Sequence, residues 1–285
     1  MPLRNASDIL TEARRRGYGV LSLLGGDLAM VLGLIQAAED KRAPLILVYN
    51  EDVTPQIPIE IAIPLLVRTA RSATVPVAVV LDHGRDLEHV VRAVRLGCSS
   101  VMYDGSALPY QENVARTAEV VRVAHAAGVD VEAELGSISG SAVDQGSPGP
   151  EAAFTDPDAA ADFVAQTGTD VLAISFGNAH GVYQGNPVLD LARVRAIHAS
   201  VDVPLSMHGA SGLEDDDYPA IIKSGISKVC YYTAMGIGAS DALRDVLMNS
   251  GKGELVYHQL LSPAIEYFRS ETRRLIDVVG CADTI

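Results

Sequence analysis

Eight short β-branched runs, each followed by a longer stretch with helical spacing, occupy the chain from end to end. The runs are Gly17–Leu23, Pro44–Val48, Pro76–Leu81, Ser99–Tyr103, Val129–Glu134, Val171–Ser175, Pro204–Met207 and Ile226–Tyr231. The helical patterns are Asp27–Ala38, Pro58–Ser72, Asp86–Leu96, Tyr110–Ala127, Asp156–Thr167, Leu189–Ala199, Leu213–Lys223 and Ile237–Met248. Strands that alternate with helices form parallel βαβ units, because a parallel connection must cross back over the sheet. Eight such units with no break in composition predict an α/β chain folded as one (β/α)8 TIM barrel, a single domain over residues 1–285.

Local signals agree with this division. Thr155-Asp156-Pro157 supplies a capping side chain and then a proline at an early helical position. Gly97, Gly128 and Gly225 stand just past expected helix ends and just before a strand, where a left-handed residue is wanted. Ser137–Ala153 carries glycines and prolines without a period and is long for a strand-to-helix loop, which suits a lid. A further helical pattern at about 254–279 falls outside the eight units. Its apolar positions suit packing on the barrel's outside or contact between copies, and a homodimer or homotetramer is expected.

The chain has 22 Lys+Arg against 36 Asp+Glu, a formal charge of −14. That excess repels phosphate polymers and anionic lipid, so neither nucleic acid nor membrane is an expected partner. A small anion is still admissible, because a pocket can be locally positive. Apolar runs such as Ile61 to Val67 and Val75 to Leu81 are far too short to span a bilayer. Cys98, Cys230 and Cys281 are odd in number and lack metal-finger spacing, and the first residues show no secretory pattern. A reducing cytoplasm is the expected location.

A barrel collects its functional side chains at the C-terminal ends of its strands. His83 ends the third run in Leu81-Asp82-His83-Gly84, His180 follows the sixth in Asn178-Ala179-His180-Gly181, and His208 ends the seventh in Met207-His208-Gly209. All three face one rim. Three imidazoles leave a divalent ion one open position, the arrangement of a catalytic zinc site. His89, His125, His198 and His258 fall within helical patterns and read as structural or solvated. Asp82 neighbours a ligand at a strand end, where a turning chain can bring both residues to the rim. Its alternative role is to cap the helix near Asp86. Asp104 and Glu134 end the fourth and fifth runs and suit either cation binding or hydrogen bonds to the imidazoles. Glu132 shares the parity of Glu134, so it points inward and must be paired. The turns Gly209-Ala210-Ser211-Gly212 and Thr233-Ala234-Met235-Gly236 offer backbone N–H groups at helix starts, where barrels hold phosphate.

These stretches, with Ser100-Val101-Met102-Tyr103-Asp104-Gly105-Ser106 and Val131-Glu132-Ala133-Glu134-Leu135-Gly136, resemble the class II, metal-dependent ketose-bisphosphate aldolases, most of all the tagatose-bisphosphate branch. The resemblance runs from Arg4 to about Leu275. It implies that His83, His180 and His208 bind a catalytic zinc ion (Zn2+) and that Asp82 is the general acid/base at the hydroxyl of the cleaved bond. It implies a second cation position at Asp104 and Glu134. Gly181, Gly209, Ala210, Ser211 and Thr233 match positions that contact the dihydroxyacetone phosphate half of the substrate, and Cys230, Tyr231 and Tyr232 lie in the same stretch. The implied reaction cleaves or forms a ketose (bis)phosphate through a zinc-stabilised enediolate of dihydroxyacetone phosphate or a close analogue. The implied partner is a small phosphorylated sugar or triose phosphate.

Four positions depart from the family pattern. Cys230 stands for an asparagine, and Tyr232 for a small or acidic residue. Ala142 stands for the lid glutamate, with Asp144 two residues on, and Ser22 for another common asparagine. These imply retained chemistry with a different carbonyl substrate, or a diverged paralogue that only binds sugar phosphate. A metal-dependent barrel hydrolase is a further alternative. Against it, no His-x-His pair ends the first strand, and Asp82 sits on the third strand rather than the eighth.

Overall fold

The computed structural model describes residues 2–138, 154–181, 183, 185, 187–250 and 255–285. Its strands are β1 (Val20–Leu24), β2 (Leu45–Tyr49), β3 (Val77–Gly84), β4 (Ser100–Tyr103), β5 (Asp130–Leu135), β6 (Val171–Ile174), β7 (Leu205–Met207) and β8 (Ile226–Tyr231). Each pairs in parallel with the next, and β8 returns to β1 to close the barrel. The helices are α1 (Ala6–Arg16), α2 (Leu28–Asp40), α3 (Ile59–Ser72), α4 (Leu87–Leu96), α5 (Tyr110–Ala126), α6 (Pro157–Thr167), α7 (Leu191–Ser200), α8 (Asp217–Ser224), α9 (Thr233–Asn249) and α10 (Leu261–Val278). The eightfold reading of the sequence therefore holds. Every residue of β1 and β2 is buried, as expected for strands covered by side chains within the barrel and by helices outside it. Each Leu or Val so placed contributes about 1.5–3 kcal/mol.

The expected caps are present. The Asp156 side chain accepts from Asp158 N and Ala159 N, with Pro157 opening α6. Gly97, Gly128 and Gly225 all take positive φ. Two boundaries differ from expectation. α8 starts at Asp217 rather than Leu213, since the chain spends 213–216 leaving the left-handed turn at Gly212, φ 89°. α9 starts at Thr233 rather than Ile237, so Tyr232 alone separates it from β8. Thr233-Ala234-Met235-Gly236 is thus the first turn of a helix, not a loop before one. Most of the expected lid, residues 139–153 with Ala142 and Asp144, lies outside the described residues.

α1 precedes the eight units and touches β1, β3 and β8, so it lies across the N-terminal mouth of the barrel. β5 explains its anchorage. Asp130, Glu132 and Glu134 share one parity, and all three are buried. At the bottom, Asp130 accepts from Ser7 N at 2.7 Å and from the Asn5 amide, tying down the start of α1. Midway, Glu132 pairs with Lys228. At the top, Glu134 faces the opposite mouth. After a single 3-10 turn (Tyr257–Leu260), α10 packs along α2 and buries Ala264, Phe268, Thr272, Leu275 and Ile276. Among the described residues no helix is long and apolar enough to cross a membrane.

Candidate active site

A cleft of about 340 Å³ opens at the C-terminal end of the barrel. Asp82 and His83 both line it, although neighbours in a regular strand face opposite ways. The reason is local. The β3–β4 register shifts between Leu81 and Gly84, and His83 takes φ 49°. A left-handed backbone costs a non-glycine residue of order 1–3 kcal/mol and is retained where the surroundings enforce it. Here it turns the two side chains to the same side.

The closed barrel brings His83, His180 and His208 together from three distant segments. Their ring centroids are 5.2 Å (His83–His180), 4.8 Å (His83–His208) and 5.7 Å (His180–His208) apart. One nitrogen from each lies within 4.8 Å of the others, a set that could hold a metal ion. His83 Nε2 and His208 Nδ1 are 3.1 Å apart, close to the roughly 3.3 Å between two nitrogens bound to one tetrahedral zinc. The remaining nitrogens are engaged behind the rings. His83 Nδ1 meets Asp104 Oδ2 at 2.7 Å, and His208 Nε2 meets Glu132 Oε1 at 2.9 Å. His180 Nε2 is buried with no hydrogen-bond partner among the described residues. Buried orphaned nitrogens are costly, and a metal ion held here would satisfy this one. These donors fit a borderline-soft divalent ion.

The electrostatics divide the three rings. Burial opposes protonation of His83, but the Asp82 carboxylate and the Asp104 hydrogen bond outweigh it and raise its pKa to about 9. Burial and the neighbouring His208 and His83 lower His180 to about 3, keeping its ring neutral with a lone pair available. Asp82 sits below the ordinary carboxylate range: burial opposes ionisation, while His83, His208, Lys228 and an Asn50 hydrogen bond together prevail. Glu134 goes the other way, pushed up to about 7 by burial and by Asp104. His83, Asp104 and Glu134 form a second group with converging ligand atoms.

Gly181, Gly209, Ser211, Cys230, Tyr231, Tyr232 and Thr233 also line the cleft. Gly209 (φ 69°) must be glycine, because a Cβ there would lie 2.0 Å from Ala179 O where the loops after β6 and β7 meet. Ala210 is different: it is fully buried behind the wall, and its N–H donates to Cys230 O at 3.1 Å. Cys230 and Ser22, two of the departing positions, are register partners on β8 and β1 and share one patch of the cleft wall. The Tyr232 N–H donates to Ser211 Oγ at 3.1 Å.

Asn50 and Arg85 line the cleft without having been singled out in the sequence. Asn50 follows β2, at the same kind of strand end as the histidines, and that position was the available signal. Lys228 lies within β8 and carries no sequence signal of its own. It is wholly buried, and its ammonium pairs with Glu132 behind His208.

A (β/α)8 barrel with three histidines and their carboxylates gathered in a cleft at its C-terminal mouth has the layout of a barrel enzyme, whose chemistry sits at the strand ends. Among such enzymes, the chain belongs to the class II fructose-bisphosphate aldolase family, whose model matches residues 4–284. It is 35% identical over 277 residues to the GatY subunit of D-tagatose-1,6-bisphosphate aldolase from Klebsiella oxytoca, covering 97% of each chain. The structure is similar to the YdjI aldolase of Escherichia coli K12, with TM-score 0.87 and 31% identity over 99% of this chain and 98% of that one. It is likewise similar to a Coccidioides immitis protein described as a putative fructose-1,6-bisphosphate aldolase, with TM-score 0.88 and 28% identity over 98% and 97% of the two chains. The protein is accordingly an aldolase, a carbon–carbon lyase.

Proposed function

We propose that the protein cleaves or forms a ketose (bis)phosphate, with dihydroxyacetone phosphate or a close analogue as the ketone half. The observation that carries this reading is the placement of Asp82 against the three histidines. Its Oδ2 is held by Asn50 at 3.1 Å, while Oδ1 is buried with no partner among the described residues. An ionised carboxylate with one oxygen free is a competent base. In the cleavage direction Asp82 takes the proton from the hydroxyl β to the ketose carbonyl. That oxygen's electron pair becomes the aldehyde C=O, the adjacent carbon–carbon bond breaks, and its pair passes to the ketone half as an enediolate. In synthesis the same carboxyl returns the proton.

Zinc, the ion that best matches three imidazoles, would be held by His83, His180 and His208 and would supply Lewis-acid stabilisation of the charge developing on the ketose oxygen. Asp104 and Glu132 orient two of those rings from behind. Asp104 and Glu134, with His83, are our candidates for a second cation position. Gly181, Gly209, Ser211 and Thr233 border the space we assign to the phosphate-bearing half, whose contacts fix the reacting carbons and lower the entropic barrier. The relative's name makes tagatose 1,6-bisphosphate a substrate to test beside fructose 1,6-bisphosphate. An analogue of dihydroxyacetone phosphate is a second reading, favoured by Ser22 and Cys230 standing side by side in the cleft wall. A homodimer or homotetramer in the cytoplasm is the expected setting.

The test is a coupled assay for triose release from both bisphosphates, with and without chelator. Chelator-sensitive cleavage is expected. Asp82→Asn should lower kcat by roughly 10²–10⁴ with metal content unchanged. Full activity in the Asp82→Asn protein would remove Asp82 from this role.

A further inference from the structure

Asn50 is 8% exposed and sits one residue past β2, so its side chain projects from a strand end into the cleft. Both ends of its amide are engaged. Oδ1 accepts from Asp52 N at 3.0 Å and from Val53 N at 3.3 Å. Those two backbone donors fix which way the amide faces, since an inverted amide would set N–H against N–H. The amide nitrogen is therefore presented to Asp82, where it donates to Oδ2 at 3.1 Å. The backbone behind it is pinned as well: Asn50 O accepts from Thr54 N at 3.1 Å and from Thr54 Oγ1 at 3.0 Å. Asp82 thus has one oxygen clamped by an oriented donor and the other left bare.

A free carboxylate can rotate about its terminal bond and present either oxygen. A donor fixed on Oδ2 removes that freedom, so that Oδ1 stays available at one place. We infer that Asn50 is a positioning residue for Asp82, holding the carboxylate so that Oδ1 meets the substrate hydroxyl. This inference rests on the acid/base role proposed for Asp82. Acid/base groups must stand within hydrogen-bond reach of the proton they move, and small misplacements cost about 10²-fold.

Asn50→Asp and Asn50→Ser together separate positioning from a merely structural role, the first adding a charge beside Asp82 and the second adding none. The new carboxylate keeps an acceptor for Asp52 N and Val53 N, so the turn stays capped. It loses the donor to Asp82. Asn50→Ser is the companion variant: its hydroxyl still accepts from a backbone N–H two residues on but is too short to reach Asp82. In the metal-loaded enzyme, Asn50→Ser should lower kcat about 10- to 100-fold, with KM changed less than about threefold and metal content and melting temperature retained, and Asn50→Asp, which adds a like charge, should lower kcat at least as far. In an Asp82→Asn background, Asn50→Ser should change kcat less than about twofold, because there is no carboxylate left to position. The inference is overturned if kcat of Asn50→Ser stays at the parent level, if KM rises while kcat is kept, or if Asn50→Ser slows the Asp82→Asn enzyme as much as the parent. The Asp82→Asn enzyme measured alone reports on the acid/base role itself; full activity there would bring down that reading and this one with it.

Discussion

The carboxylate of Asp104 lies 2.7 Å from Nδ1 of His83, on the side of the ring away from the nitrogen that meets His208. One carboxylate oxygen thus holds the tilt of a ring whose backbone is itself in a left-handed conformation. Asp104 is in turn steadied by Ser106, whose N–H and hydroxyl donate to Oδ1 at 3.0 Å and 2.6 Å.

Asp104→Ala should therefore weaken metal binding about 10- to 100-fold without unfolding the barrel. Competition with a chromogenic chelator measures this directly. An affinity equal to the parent's would mean that the His83 ring is held by other contacts.

Glu134 makes the metal-stripped protein pH-sensitive. Its pKa rises from 4.5 to about 7, mainly through burial, so the folded state binds this proton more tightly than the unfolded chain does. The associated stability is fully present below pH 4.5 and is lost as pH climbs through about 7. The loss amounts to about 3 kcal/mol at most. Urea denaturation of chelated protein at pH 5 and pH 8 should show the decline, and Glu134→Gln should flatten it.

Lys228 is 0% exposed and shares Glu132 with His208. Removing one partner of a buried pair leaves the other charge unmatched. Lys228→Met should cost about 3–5 kcal/mol in equilibrium unfolding, and adding Glu132→Gln should recover part of that loss. A single variant as stable as the parent would show that His208 alone neutralises Glu132.

Gly33 sits where α2 meets α10. A Cβ at this position would lie 2.6 Å from Ile265 O and 2.8 Å from Phe268 Cβ. Because the nearest atom is helix backbone, Gly33→Ala should push α10 outward and destabilise by about 1–3 kcal/mol. A proteolysis assay that follows release of the C-terminal helix distinguishes this local effect from global unfolding.

Some of the site was legible in the linear chain because barrels place function at strand ends. His83, His180, His208, Asp104 and Glu134 each end or follow a strand, so one rule collected them. Asn50 obeys the same rule and was passed over, because an asparagine after a strand reads first as a turn residue. α1 was missed as well. It is charged, and it stands outside the eightfold repeat that organised the rest.

Periodicity, caps and strand-end chemistry are carried by residues within a few positions of one another, so the order of elements and the rim that holds the histidines followed from the sequence alone. Convergence depends on residues far apart in the chain. That His83 and His208 nitrogens approach to 3.1 Å across 125 residues, that Glu132 lies between Lys228 and His208, and that Ser22 and Cys230 become neighbours follow from register and closure of the sheet. The left-handed turn at His83 belongs with them, since a strained conformation is held in place only by the packed structure around it.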